Sequence, residues 1–207
     1  MAKGAEAYLF KEKWYDRVVV RKCRVAKRYR IPELDLRIRQ YRTIHEAKMF
    51  SSARKAGVST PAICQVDVPK TTIIYEYIDG QKLKNVINEI TRQEQKRVCT
   101  CVGRSIGRLH KNGLIHGDLT TSNMILTSEK QIYFIDFGLG EHSSEIEHKG
   151  VDLHLMQRAL QSTHYQHAEE FFEAVLAGYR EVLGKDAEDA ILRIGEVERR
   201  GRYIEDR

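Results

Sequence analysis

Ile115-His116-Gly117-Asp118-Leu119-Thr120-Thr121-Ser122-Asn123, with Ile135-Asp136-Phe137-Gly138 after it, decides how this chain is read. Asp118 stands five residues before Asn123, and Asp136 stands 13 residues after it. Moving a phosphoryl group from a nucleotide needs few parts. It takes a carboxylate that orients or deprotonates the nucleophile, oxygen ligands that hold Mg2+ on the phosphates, and a cation that positions them. Asp118 suits the first role. Asn123 and Asp136 are hard oxygen donors and suit the second. Between them, residues 124–126 and 131–135 read as two short strands around a turn, which returns the two metal ligands to one site. Each motif alone is a weak signal, but the pair at this spacing is specific.

The remaining parts lie upstream. Lys22 ends the run Val18-Val19-Val20-Arg21-Lys22, which resembles the V-A-I-K strand of protein kinases. It is the expected phosphate-positioning cation. Residues 5–13 and 15–25 read as paired strands. Pro32 opens a long helical pattern in which Leu34, Ile38, Tyr41, Ile44 and Ala47 recur along one face, and Gly57 closes it. Glu46 sits in the middle of that helix and is the expected partner that holds Lys22 toward the phosphates. Two further strands are expected at 62–68 and 72–78. The second contains a hinge-like segment, in which backbone groups of Glu76 and Ile78 would bond an adenine. Gly4-Ala5-Glu6-Ala7 precedes the first strand in place of a full glycine-rich loop. Its small residues would let backbone N–H groups approach phosphate.

After Asp79-Gly80 the pattern turns helical, with helices expected at 82–90, 92–112, 151–162, 169–183 and 187–197. The expected fold is α+β, a protein-kinase-like pair of lobes. Residues 1–79 form a small β-rich N-lobe, residues 80–198 a truncated helical C-lobe, and residues 199–207 a basic tail. Two departures from an ordinary kinase are visible. Gly117 replaces the arginine that grips an activation-loop phosphate, so control by phosphorylation of that loop is not expected. Some 14 residues separate Gly138 from the next helix, with no A-P-E sequence, so the peptide-substrate platform is missing. Asp152 on that helix is expected to brace the catalytic loop.

A chain of 207 residues with 42% hydrophobic and 31% charged residues can bury a core without disulfide staples. Cys23, Cys64, Cys99 and Cys101 form no C-x-x-C pair and no zinc spacing, which suits reduced thiols. No apolar run approaches a membrane span or a signal peptide, so a cytoplasmic protein is expected. The net charge of +6 is uneven, because residues 1–60 carry 16 Lys and Arg against 6 Asp and Glu. A second basic group, Arg199, Arg200 and Arg202, lies near the C-terminus. Both suit polyanions such as ATP phosphates or RNA.

With these residues in view, the chain resembles the small atypical kinase subunit of the KEOPS complex, the PRPK family. The likeness is carried by Gly4-Ala5-Glu6-Ala7, by Lys22, and by Lys27, Tyr29, Arg30, Pro32, Leu34 and Asp35 at their spacing. Arg42-Thr43 before Glu46-Ala47, the run 115–123, Asp136-Phe137-Gly138 and Arg200-Gly201-Arg202 complete it. The resemblance implies ATP and Mg2+ as cofactors, with ATP hydrolysis or Ser/Thr autophosphorylation rather than broad peptide kinase activity. It implies a role in threonylcarbamoyladenosine modification of tRNA. The KEOPS catalytic subunit would dock on the C-lobe and a small accessory subunit on the N-lobe. The basic surface and tail would engage tRNA. Two other readings stand beside it: a RIO-like or small-molecule phosphotransferase, and a nucleotide-sensing scaffold without turnover. Only about 70 residues follow Gly138, which is short for a small-molecule kinase.

Overall fold

The computed structural model describes the backbone of residues 2–3 and 7–205 and the side chains of residues 7–199. In the N-lobe, β1 (Ala2–Lys3), β2 (Ala7–Trp14), β3 (Arg17–Arg24), β4 (Ile63–Asp67) and β5 (Thr72–Glu76) form an antiparallel sheet in the order β1-β2-β3-β5-β4. The β-branched run 18–20 makes β3 a central strand, paired with β2 on one side and β5 on the other. Successive side chains of a strand alternate between faces, so Lys22 and Arg24 leave β3 on the same side, and both are buried.

Helix α1 (Pro32–Lys55) starts with Pro at its first turn and ends before Gly57, whose φ of +78° favours glycine. The apolar stripe does not mark the buried face. Leu34, Tyr41 and Ile44 face outward, while Asp35, Thr43, Glu46, Met49, Phe50 and Ala53 are buried. The cause is the partner surface. The sheet presents Lys22 and Arg24 to the helix, so the carboxylate of Glu46 turns inward to meet them.

The C-lobe begins with β6 (Gln81–Lys82) and α2 (Leu83–Val86), a single turn where a helix over 82–90 was expected. The Ile87 carbonyl just beyond it accepts from the side-chain amide of Gln95. Helix α3 (Arg92–Lys111) opens on a reciprocal capping box between Thr91 and Glu94. Then come β7 (Leu114–Ile115), β8 (Met124–Leu126), β9 (Ile132–Phe134) and β10 (Glu141–His142). The β8–β9 hairpin carries the Asn123 and Asp136 segments at its ends, as the strand–turn–strand reading requires. Helices α4 (Ile146–Thr163), α5 (Ala168–Leu183) and α6 (Asp186–Glu205) complete the lobe. Helix α4 starts five residues earlier than expected, so the loop after Gly138 is shorter still. Helix α6 runs past 197 through the backbone of the expected basic tail. Among the described residues, no helix is long and apolar enough to cross a membrane.

Helices α3 and α5 pack backbone to backbone. A Cβ on Gly103 would lie 1.9 Å from the Val175 carbonyl oxygen, and one on Gly178 would lie 2.0 Å from that of Thr100. The two glycines thus set the closest approach in the lobe, and the helices cannot separate without exposing Val175 and Tyr179. Gly103→Ala should therefore lower stability by about 1–3 kcal/mol, as overpacking of a dense core does. Chemical denaturation checks this, and an unchanged midpoint would mean that the crossing is looser than described.

Candidate active site

The site is built around Lys22. Its Nζ donates to Glu46 Oε1 at 2.7 Å and to Asp136 Oδ1 at 2.9 Å. Strand β3, helix α1 and the segment after β9 are thus joined at one ammonium group. Burial would lower the Lys22 pKa, but Glu46 and Asp136 together raise it, so the amine stays charged. Burial pushes the Glu46 carboxyl up, and the cations of Lys22 and Arg24 on its two oxygens oppose that. Burial also acts to raise Asp136, but Lys22 outweighs it and holds that carboxyl below its ordinary range. Asp136 has a φ of +63°, a strained conformation for a residue with a side chain. Its carboxylate also accepts from the Gly138 N–H at 3.3 Å.

The catalytic loop hangs from α4. Asp152, fully buried, accepts the backbone N–H of His116 and of Gly117 at 2.9 Å each. This is the bracing role expected of it. Its Oδ2 also meets His110 Nε2 at 3.1 Å, and His110 Nδ1 meets the Tyr179 hydroxyl at 2.9 Å. A carboxylate only accepts, so Nε2 donates to it. Further along the loop, Thr121 hydrogen-bonds His164 at 3.0 Å. Gly117 has a φ of +78°, and a Cβ there would lie 2.2 Å from the Leu139 carbonyl oxygen. The loop after Gly138 thus occupies the space a side chain at 117 would need. Phe137 is buried between Phe50 of α1 and the His116 ring, with centroids 5.2 and 4.6 Å away.

Asn123 donates to the Asp118 backbone carbonyl at 3.0 Å and to Asp118 Oδ2 at 2.7 Å. With the amide hydrogens so used, its oxygen is the atom that would meet a cation. The donor set therefore fits Mg2+: an amide oxygen from Asn123 and an ionised carboxylate from Asp136, both hard ligands. Asp118 sits beside them, partly exposed to the cleft.

Next to this cluster lies an apolar cavity of about 320 Å³. Leu9, Val20, Tyr75, Glu76, Tyr77, Ile78, Ile125 and Ile135 all contribute to its lining. Glu76 and Ile78, the residues expected to bond an adenine through their backbone, both line this cavity. Leu9, Val20, Ile125 and Ile135 were not picked out from sequence. Their signal was adjacency, since Ile125 follows Asn123 by two residues and Ile135 precedes Asp136 directly. Arg24, His110, Tyr179 and His164 were also missed. A lone histidine or an arginine within a basic run carries no mark of burial. Gly4, Ala5 and Glu6 lie outside the described residues, and Ala7 is buried at the start of β2. Arg199 is exposed on α6 and donates to the Gly195 carbonyl, while the side chains of Arg200 and Arg202 lie outside the described residues.

Comparison with known proteins adds to this geometry. The family described as protein kinase domain matches residues 3–174. The KEOPS complex subunit Bud32 of Pyrococcus abyssi is 49% identical over 98% of this chain and 95% of its own length. A probable serine/threonine-protein kinase BUD32 homolog of Archaeoglobus fulgidus is 42% identical, covering 90% of this chain and 89% of its own. A probable bifunctional tRNA threonylcarbamoyladenosine biosynthesis protein of Methanothermobacter thermautotrophicus is 42% identical over 99% of this chain, which spans only 36% of that protein. Among solved structures, the Rio2 kinase of Chaetomium thermophilum, in an ADP/Mg2+-phosphoaspartate complex, matches with a TM-score of 0.65 at 15% identity. The match covers 96% of this chain and 70% of that one, a likeness of fold alone.

Asp152 gives a pH test of the loop's suspension. Burial acts to raise its carboxyl, but His110 and the His116 backbone outweigh it and hold it below the ordinary 3.8. A depressed carboxyl stabilises the fold above its unfolded value, and that contribution is lost as pH falls through the folded one. Asp152→Asn should cost about 2 kcal/mol at neutral pH, since its amide would set a donor or a weaker acceptor against backbone N–H groups. The gap to the wild type should close as pH drops below about 4. Thermal melts across pH check this, and a constant gap would contradict it.

Proposed function

The chain belongs to the protein kinase family, among its Bud32 members, and on that premise we propose that it is an ATP-dependent Ser/Thr kinase and ATPase subunit of a KEOPS complex. In that setting it serves threonylcarbamoyladenosine modification of tRNA in the cytoplasm. The observation that carries the reading is the convergence of Lys22, Glu46, Asp136, Asn123 and Asp118 beside an apolar, base-sized cavity.

Each residue has a task in this reading. The cavity takes the adenine, with backbone groups of Glu76 and Ile78 on its polar edge and Leu9, Val20, Ile125 and Ile135 on its faces. Lys22, held by Glu46, donates to the phosphates. Asn123 and Asp136 would hold Mg2+, which when bound would supply charge neutralisation to the phosphates. Asp118 orients the attacking water or hydroxyl and accepts its proton, while Asn123 fixes the rotamer of its carboxylate. Gly4, Ala5, Glu6 and Ala7 would offer backbone N–H groups to the phosphates. With Leu139 packed against Gly117, the short loop after Gly138 leaves little platform for an extended peptide. This favours water, a local hydroxyl or a partner's segment as acceptor.

The family names of the relatives support KEOPS membership. Within the complex, the C-lobe would receive the threonylcarbamoyl-transferring subunit and the N-lobe a small accessory subunit. The basic residues of the N-lobe and Arg199, Arg200 and Arg202 would engage tRNA.

Mg2+-dependent ATP hydrolysis of the chain, alone and with the KEOPS catalytic subunit and tRNA, tests the proposal. Asp118→Ala should cut turnover by about 100-fold or more while leaving nucleotide affinity within a few-fold. Asp136→Ala should abolish Mg2+-dependent turnover. Tight nucleotide binding with no hydrolysis in any mixture would instead favour a nucleotide-sensing scaffold.

A further inference from the structure

Arg24 follows Lys22 by two residues on β3 and points to the same side of the sheet. Its side chain is 4% exposed and that of Glu46 is 0% exposed. Its guanidinium donates to Glu46 Oε2 at 2.5 Å and to the Arg42 carbonyl at 3.3 Å. Lys22 takes the other oxygen, Oε1. The Glu46 carboxylate is therefore shared by two cations from one strand, one oxygen each. The same guanidinium nitrogen lies 3.7 Å from the place a Cβ on Gly138 would take, so it also reaches the segment that carries Asp136.

This arrangement solves a problem that a single lysine would leave. Lys22 is bonded to both Glu46 and Asp136, and turning toward phosphate oxygens draws its ammonium away from one or both. A fully buried carboxylate that loses its cation is strongly disfavoured, so Glu46, and α1 with it, would tend to swing out. A guanidinium is weakly hydrated, permanently charged and suited to a buried ion pair. We propose that Arg24 is a positioning residue for nucleotide binding: it holds Glu46, and so α1, against β3 while Lys22 serves the phosphates.

The inference rests on reading the cleft as an ATP site, so the test separates the two. The full chain is examined as wild type, Arg24→Gln, Arg24→Lys and Glu46→Gln, together with the Arg24→Gln/Glu46→Gln double variant. Affinity for a non-hydrolysable ATP analogue with Mg2+ is measured by calorimetry, and amide hydrogen exchange is followed in residues 43–50 without nucleotide. Arg24→Gln should weaken nucleotide binding about ten- to hundredfold, the scale of one lost hydrogen bond to a charged group. It should also speed exchange in that part of α1. Arg24→Lys should recover part of both effects and guards against a variant that fails to fold. The double variant should bind no more weakly than Glu46→Gln alone. Unchanged exchange and affinity within twofold of the wild type in Arg24→Gln would overturn the proposal. So would losses that simply add in the double variant. A wild type that binds no nucleotide would sink the ATP-site reading, while the exchange arm would still decide whether Arg24 holds α1.

Discussion

One ammonium group sits between two carboxylates from different parts of the chain, and much of the structure exists to keep it there. Lys22 on β3 meets Glu46 on α1 and Asp136 beyond β9. The interaction is costly to assemble, because burial disfavours the charged form of each partner. What offsets the cost is mutual pairing, reinforced on the far side of Glu46 by Arg24. An ionic junction of this kind is a weak source of net stability and a strong source of geometry. It joins β3 and α1 of the N-lobe to the segment beyond β9.

The C-lobe supplies the rigid half of that geometry. Gly103 and Gly178 let α3 and α5 meet backbone to backbone. Tyr179 on α5 reaches His110 on α3, His110 reaches Asp152 on α4, and Asp152 holds the backbone of His116 and Gly117. Asp118 follows directly in the chain. A continuous set of buried hydrogen bonds thus runs from the helical core to the backbone that leads into Asp118. Phe137, packed edge-on against Phe50 and tilted against His116, couples the same core to α1. The Asp136 backbone, held at positive φ between the end of β9 and Phe137, is where the two systems meet.

The residues that the structure brings together at the candidate site were legible in the sequence. Asp118, Asn123 and Asp136 are marked by spacing, Lys22 by its strand, and Glu46 by its place on the helix that must face that strand. Asp152 was legible for the same reason. The two-lobed order followed from the shift at Asp79-Gly80. What sequence could not show was orientation. The apolar residues of α1 at helical spacing pointed to the wrong face, because a helix that packs on buried cations inverts the usual pattern. Arg24 was hidden among neighbouring basic residues. His110 and His164 gave no sign that they were buried partners rather than surface groups. Gly117 looked like a lost phosphate grip, and the structure adds a steric reason for it, the Leu139 carbonyl.

The role of the ionic junction is most directly tested by a double-mutant cycle on Lys22 and Asp136, using Lys22→Met, Asp136→Asn and the pair, with Mg2+-nucleotide affinity as the readout. If the two groups act as one unit across the cleft, the double variant should lose less than the sum of the single losses, by about 1 kcal/mol or more. Losses that add within about 0.5 kcal/mol would show two independent residues and contradict a junction between the lobes.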